Sequence, residues 1–183
     1  MSLTPNLLSA RTAVFISGRG SNLQALLDKE GCNIRLVVSN KRKAPGVLKA
    51  KRAGVLVKSF VPLRFEDLTP FLKQMKIQKI ILLGFMKILP ADFVEAWAGR
   101  IVNLHPSLLP LFPGLDSIEK SYQEKAPMGV SLHTVIPAMD EGPLLNQSCV
   151  YGENNKPLSS QEAHWGISFR EHYLVRRMGD KWI

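Results

Sequence analysis

The sequence predicts an α/β fold, a doubly wound and mostly parallel sheet with helices on both faces. Three observations carry the prediction. Short apolar runs of strand length alternate with amphipathic stretches of helical period as far as Arg100. The first run passes directly into Gly18-Arg19-Gly20-Ser21-Asn22, a glycine-rich strand-to-helix turn of the kind found at the carboxyl edge of parallel sheets. At 183 residues, 45% hydrophobic and 21% charged, the chain can bury one substantial core and has ordinary globular composition.

Ala13–Ser17, with Val14, Phe15 and Ile16, reads as a buried first strand. In the turn that follows, backbone N–H groups and a helix N-terminus can hold a phosphate, and Ser21 and Asn22 suit capping. Without a third glycine it is not the dinucleotide fingerprint, which counts against NAD and FAD. The residues alone leave a phosphate site and a simple tight connection equally open. The next helix carries Leu23, Leu26 and Leu27 on one face. Ile34–Ser39 is the second strand. Pro45 opens a helix that Gly54 stops, with Val47, Leu48 and Ala53 directed inward and Lys49, Lys51 and Arg52 outward.

Val55–Phe60 is the third strand, and Glu66–Met75 a helix whose Leu68, Phe71, Leu72 and Met75 form a core stripe. Lys79–Leu83 is the fourth strand. The apolar stretch 85–89 at its carboxyl end could line a pocket, although its pattern favours core packing. Pro90–Trp97 is a short helix with Phe93, Val94 and Trp97 inward, closed by Gly99. A loop at 151–160 and a helix over Ser160–Arg177, with Trp165, Ile167, Phe169, Tyr173 and Leu174, end the chain.

The region 102–147 organises the rest. Ile101–His105 reads as a strand, so Asn103 and His105, two apart, leave the same face, and Pro106 ends the regular structure. Gly129–Val135 is another strand. A loop with Asp140, Gly142 and Pro143 follows, then the run Leu144–Val150. Taken singly, His105 reads as a hydrogen-bonded core histidine and Asp140 as a turn residue. As a set at neighbouring strand ends, an amide, an imidazole and a carboxylate can converge on one pocket.

The stretch Val-Asn-Leu-His-Pro-Ser-Leu-Leu-Pro-Leu-Phe-Pro-Gly from Val102, followed by Gly-Val-Ser-Leu-His-Thr-Val-Ile-Pro-Ala-Met-Asp-Glu-Gly-Pro-Leu-Leu-Asn-Gln from Gly129, resembles the signature of the folate-dependent formyltransferases. Within that family it is most similar to the branch that formylates glycinamide ribonucleotide. The resemblance runs from about residue 12 to 150 and more thinly to 177. It implies a Rossmann-like formyltransferase fold in a single domain over 1–183: a phosphate-binding half over 12–100, a catalytic region over 101–150 and a C-terminal loop and helix over 151–183. It implies an enzyme of purine biosynthesis that transfers a formyl group from 10-formyltetrahydrofolate, its cosubstrate, to the amine of glycinamide ribonucleotide, without a metal.

The resemblance also implies residue roles. Asn103 and a protonated His105 would donate to the developing oxyanion. Asp140 would favour the charged imidazole and help a water carry the amine's proton to the leaving nitrogen. Gly20, Ser21 and Asn22 would hold the ribonucleotide phosphate, and Glu171, of the pair Glu171-His172, would contact the same substrate. The folate would meet Arg64, Met86, Lys87, Ile88, Leu89, Asn103 and Asp140, with 86–89 wrapping the pterin ring through backbone groups. Two departures bear on the substrate contacts: the chain ends soon after the Glu-His helix, and its final third differs in composition. A methionyl-tRNA formyltransferase, a formyltetrahydrofolate hydrolase and a non-catalytic basic α/β module for RNA are the alternatives. The first usually lacks Gly-Ser-Asn and carries a further C-terminal domain; the second usually carries an N-terminal regulatory domain and His-Ser-Phe in place of Pro-Ser-Leu.

Net charge is +9, from 24 Lys+Arg against 15 Asp+Glu, which steers anions of any size. The basic residues are dispersed and not interleaved with aromatics, so small phosphorylated and carboxylated substrates are expected and nucleic acid is not. Cys32 and Cys149 lie in apolar runs and suggest buried thiols in a reducing compartment. The four histidines show no zinc spacing. The N-terminal stretch to Arg11 has no secretory pattern and no apolar run approaches the ~20 residues of a membrane span. A cytoplasmic enzyme is expected, and a homodimer is compatible with this reading.

Overall fold

The structure, a computed structural model, describes residues 10–178. Residues 1–9, most of the stretch read for a secretory leader, and 179–183 lie outside the described residues. The described strands form one seven-stranded sheet in the order β3-β2-β1-β4-β5-β6-β7. They are β1 (Thr12–Ile16), β2 (Ile34–Ser39), β3 (Leu56–Ser59), β4 (Lys79–Leu82), β5 (Ile101–His105), β6 (Met128–Thr134) and β7 (Leu144–Tyr151). The first five pair in parallel, whereas β6 runs antiparallel to both β5 and β7. From β1 the chain winds outward through β2 and β3, then returns to place β4 on the other side of β1. That reversal makes a crevice at the carboxyl ends of β1 and β4.

Strand alternation divides the core between the two faces of the sheet. Val14, Ile16 and Val37 pack with Leu23 and Leu26 of α1 (Ser21–Leu27), Ala50 of α2 (Pro45–Arg52) and Ala163, Ile167, Leu174 and Val175 of α6 (Ser160–Arg177). On the opposite face Ala13, Phe15 and Val38 pack with Leu68 and Leu72 of α3 (Phe65–Gln74) and Phe93 and Val94 of α4 (Ala91–Ala96). The remaining helix, α5 (Ser117–Gln123), is one that hydrophobic period did not predict. Its seven residues carry only Ile118 and Tyr122 as inward apolar groups, and Ser121 Oγ donates to its Ser117 carbonyl at 2.6 Å.

Several expected orientations change. In α2 the inward set is Gly46, Val47 and Ala50, while Leu48 and Ala53 face solvent. The cause is close packing at the helix start: Gly46 N–H donates to the Gly18 carbonyl at 3.2 Å, and a Cβ on Gly46 would lie 2.6 Å from Ile16 Cδ1. In α6 Trp165, Phe169 and Tyr173 lie outward. Cys149 is exposed because β7 is an edge strand, and Cys32 is half-buried, its thiol pushed up by burial against the opposing charge of Lys29. Neither cysteine is in a disulfide. Among the described residues no helix is long and apolar enough to cross a membrane.

The two-sided core makes a direct prediction. Leu72 is 0% and Leu48 51% exposed, both on helices. Leu72→Ala should cost about 2–5 kcal/mol in urea denaturation, and Leu48→Ala within about 0.5 kcal/mol of nothing.

Candidate active site

The carboxyl end of β5 presents Asn103 and His105 from one face, as side chains two apart on a strand must be. Directly across the antiparallel ladder, Asn103 faces His133 and His105 faces Ser131. The loop between β6 and β7 then carries Asp140 over them. Its base is closed where Thr134 N–H donates to the Pro143 carbonyl at 2.9 Å, and Gly142 passes so close to the Thr134 carbonyl that a Cβ there would collide with it. Asp140 itself has φ 57, a left-handed conformation that Asp tolerates through its short polar side chain.

The structure therefore brings Asn103, His105 and Asp140 together and adds His133. Asp140 Oδ2 lies 3.4 Å from His105 Nδ1 and accepts the Gly114 N–H at 2.8 Å. Asp140 Oδ1 lies 3.4 Å from both His133 Nε2 and Asn103 Nδ2. Asn103 Nδ2 is also 3.2 Å from His133 Nε2, whose partner nitrogen Nδ1 reaches the Thr134 carbonyl at 3.1 Å. His133 Nε2 thus faces both Asn103 Nδ2 and Asp140 Oδ1: with a proton it donates to the carboxylate, and without one it accepts from Asn103. From sequence alone His133 has no assigned role, because a strand histidine says little until its cross-strand partner is known. The signal available is its place inside the second signature stretch, which begins at Gly129.

Burial raises the Asp140 carboxyl, but the His133 contact, the Gly114 N–H and the two imidazole charges outweigh it and hold the group at about 2. Asp140 acts on His105 in the expected sense, favouring the charged ring together with the Phe112 carbonyl, but burial comes first and, with His133, lowers the imidazole overall. His105 Nε2 lies 3.0 Å from the Phe112 carbonyl, so both ring nitrogens face acceptors. Only the imidazolium donates to both, so the ring gains a second hydrogen bond whenever it takes up a proton. The donors expected for an oxyanion are thus occupied, Asn103 Nδ2 by His133 and Asp140, His105 by Asp140 and Phe112. The contacts of 3.4 Å are long and readily exchanged for a substrate oxygen.

At the neighbouring strand end, Gly20 takes the N-cap position of α1 with φ 68 and no side-chain cap. Ser21 and Asn22 lie inside the first turn instead of capping it, so the helix's first N–H groups have no capping acceptor. Gly20 is required twice over: its φ is left-handed, and a Cβ would lie 2.7 Å from Gly46 Cα. Lys49 Nζ reaches the Gly20 carbonyl at 3.3 Å, setting an ammonium beside the turn. Glu171 of α6 is brought to the same turn, where burial raises its carboxyl to about 7 against a hydrogen bond from Asn22. Ser17 Oγ accepts the Met86 N–H at 2.8 Å and ties the turn to the segment after β4.

In that segment Met86 and Ile88 are 60% and 78% exposed and Lys87 is exposed, whereas Leu89 and Phe85 pack on the core. The expectation of core packing for 85–89 is thus corrected for its middle three residues. Leu111, Leu115 and Met139 are further exposed apolar residues on the loops around Asp140. Arg64, at the N-cap of α3, is exposed and follows the edge strand β3. No group of acidic, histidine or cysteine side chains among the described residues could hold a metal ion.

The family model described as formyl transferase matches residues 10–156. The chain belongs to the formyl transferase family. It is 36% identical over 154 residues to the trifunctional purine biosynthetic protein adenosine-3 of Homo sapiens, covering 77% of this chain and 15% of that protein. It is 36% identical over 153 residues to phosphoribosylglycinamide formyltransferase of Escherichia coli K12, covering 75% of this chain and 71% of that one. The chain thus spans a small part of the trifunctional relatives it matches, 13% of the one from Drosophila pseudoobscura. Among solved structures, phosphoribosylglycinamide formyltransferase from Anaplasma phagocytophilum superposes with a TM-score of 0.85 at 34% identity, covering 92% of this chain and 84% of that one. The Streptococcus pneumoniae enzyme of that name also gives 0.85, at 30% identity, with 92% and 96% covered.

The electrostatics predict an acid limb. Because Asp140 is held down from its ordinary 3.8 to about 2, its contribution to stability is complete above 3.8 and is lost as pH falls toward 2. Denaturation midpoints across that interval should fall less steeply for Asp140→Asn than for the unaltered chain.

Proposed function

We propose that the chain transfers a formyl group from 10-formyltetrahydrofolate to the primary amine of glycinamide ribonucleotide. The observation that carries the reading is the ionised Asp140 held among Asn103, His105 and His133, on a sheet whose first strand ends in a glycine turn tied to the segment after β4. The exposed apolar residues Met86, Ile88, Leu111, Leu115 and Met139, on loops around a polar cluster, suit a flat aromatic ligand carrying one reactive polar group. Folate supplies the formyl carbon. Met86–Leu89 would offer backbone groups to its ring, and Arg64 a positive charge for its carboxylated tail. Gly20, Ser21 and Asn22, with Lys49, would hold the ribonucleotide phosphate, and Glu171 would meet its sugar.

Attack by an amine on a formyl carbon places negative charge on the formyl oxygen and releases a proton from nitrogen. Asn103 and His105 can turn their donors from Asp140 to that oxygen, an exchange of two long contacts for shorter ones. Asp140, ionised throughout the neutral range, relays the amine's proton, directly or through one water, to N10 of the folate as the bond from N10 to the formyl carbon breaks and tetrahydrofolate leaves. Burial lowers the proton affinity of His105, so the ring holds its hydrogen ready to donate to the oxyanion as the charge develops.

The deciding assay combines the protein with glycinamide ribonucleotide and a 10-formyl folate. Formylated ribonucleotide is expected; hydrolysis of the folate alone, or formylation of methionyl-tRNA in its place, would overturn the reading. His105→Ala should lower kcat by about 10²–10³ while folate affinity holds. Ser21→Asp, at an exposed position, should raise KM for the ribonucleotide about tenfold or more by setting a carboxylate against its phosphate.

A further inference from the structure

The segment after β5 holds both partners of the candidate catalytic pair. Its Phe112 carbonyl accepts from His105 Nε2 at 3.0 Å, and its Gly114 N–H donates to Asp140 Oδ2 at 2.8 Å. What fixes this segment comes from outside it. Ser131 of β6, fully buried, donates its hydroxyl to the Ser107 carbonyl at 2.7 Å and accepts the Leu109 N–H at 3.0 Å. Gln147 of the edge strand β7 donates Nε2 to Ser131 Oγ at 2.9 Å and to the Leu109 carbonyl at 2.8 Å. Ser107, also fully buried, donates Oγ to the Leu111 carbonyl at 2.6 Å.

The register explains why these groups meet. His105 pairs with Ser131 and Ser131 with Gln147, so the three stand in one row across β5, β6 and β7. Ser131 spends its one donor and one acceptor site on this loop and its other acceptor site on Gln147, which gives one amide hydrogen to Ser131 and one to the loop. Neither residue touches Asp140 or the His105 ring in the described contacts.

We propose that Gln147 is a positioning residue for the transfer reaction: with Ser131 it clamps residues 107–111, and through them sets the Phe112 carbonyl and Gly114 N–H that orient His105 and Asp140. The clamp rests on the reading of Asn103, His105 and Asp140 as the formyl-transfer centre. The Leu109 carbonyl is satisfied from the edge strand, and the same Gln147 amide holds the Ser131 hydroxyl that grips Ser107 and Leu109, so the orientation of the centre depends on a residue at the sheet's rim. A misplacement of catalytic groups by about 1 Å costs up to about 10² in rate, which makes such a support consequential.

The test uses Gln147→Met, which keeps chain length and lack of charge but removes both donors. The expected result is a kcat about tenfold lower, with KM for both substrates changed less than about twofold. The His105 imidazole, followed by nitrogen-15 NMR, should titrate at lower pH in the variant, because the Phe112 carbonyl raises it and would no longer be held in place. The other ionisable groups facing that ring, Asp140 and His133, are unaltered in the variant. Ser131→Ala should act the same way, and the double variant should cost no more than the worse single one, as expected for one shared path. An unchanged His105 titration with unchanged kcat would overturn the clamp. So would additive losses, or a loss confined to KM or to melting temperature. The NMR measurement needs no substrate, so it decides the clamp even if the unaltered protein fails to transfer formyl groups, which would instead sink the functional reading.

Discussion

An ionised carboxylate, only partly exposed, sets the arrangement of everything around it. Asp140 keeps its charge because four polar groups surround it: two imidazoles, one amide and one backbone N–H. They come from three places in the chain, β5, β6 and the loop after β5, and the three side chains are each fixed by a further contact. A buried charge without such partners would cost several kcal/mol, so the groups and the carboxylate demand one another. His105 shows the opposite balance. Burial outweighs its attractive neighbours, and the ring is left ready to take up a proton where an acceptor already waits for each nitrogen.

The reversal between β1 and β4 sets the loops of the proposed substrate sites beside this cluster on one sheet. The turn after β1 and the segment after β4 lie at that reversal, joined through Ser17 Oγ and the Met86 N–H. Close packing of Gly20 on Gly46 leaves the turn backbone accessible and locks the start of α2 against it. The polar end of the pocket and its apolar rim are thereby set on adjacent loops of one sheet edge. A net charge of +9 then favours two anionic substrates, with Lys49 placed beside the turn.

Two charged groups with displaced affinities stand at the two ends of the proposed substrate path. Glu171, raised to about 7, and Asp140, held at about 2, differ because one has a single polar neighbour and the other has four. Burial and partners alone therefore set the proton affinity of one carboxylate far above that of the other.

By itself the sequence determined the parallel half of the sheet, the glycine turn, and the set Asn103, His105 and Asp140. Period, glycine placement and motif order are local, and each survives without knowledge of what packs where. Tertiary structure alone decided the rest. His133 enters the site only because β6 runs antiparallel to β5 and sets it opposite Asn103. The protonation of His105 follows from burial, which no spacing encodes. Leu48 faces water because two glycines pin α2 in one rotation, and α5 forms with two inward apolar groups because β6 and α6 supply the surface it packs on. Gln147 holds a loop nearly forty residues earlier in the chain. Such contacts join residues far apart in sequence, and only the closed sheet brings them within hydrogen-bond reach.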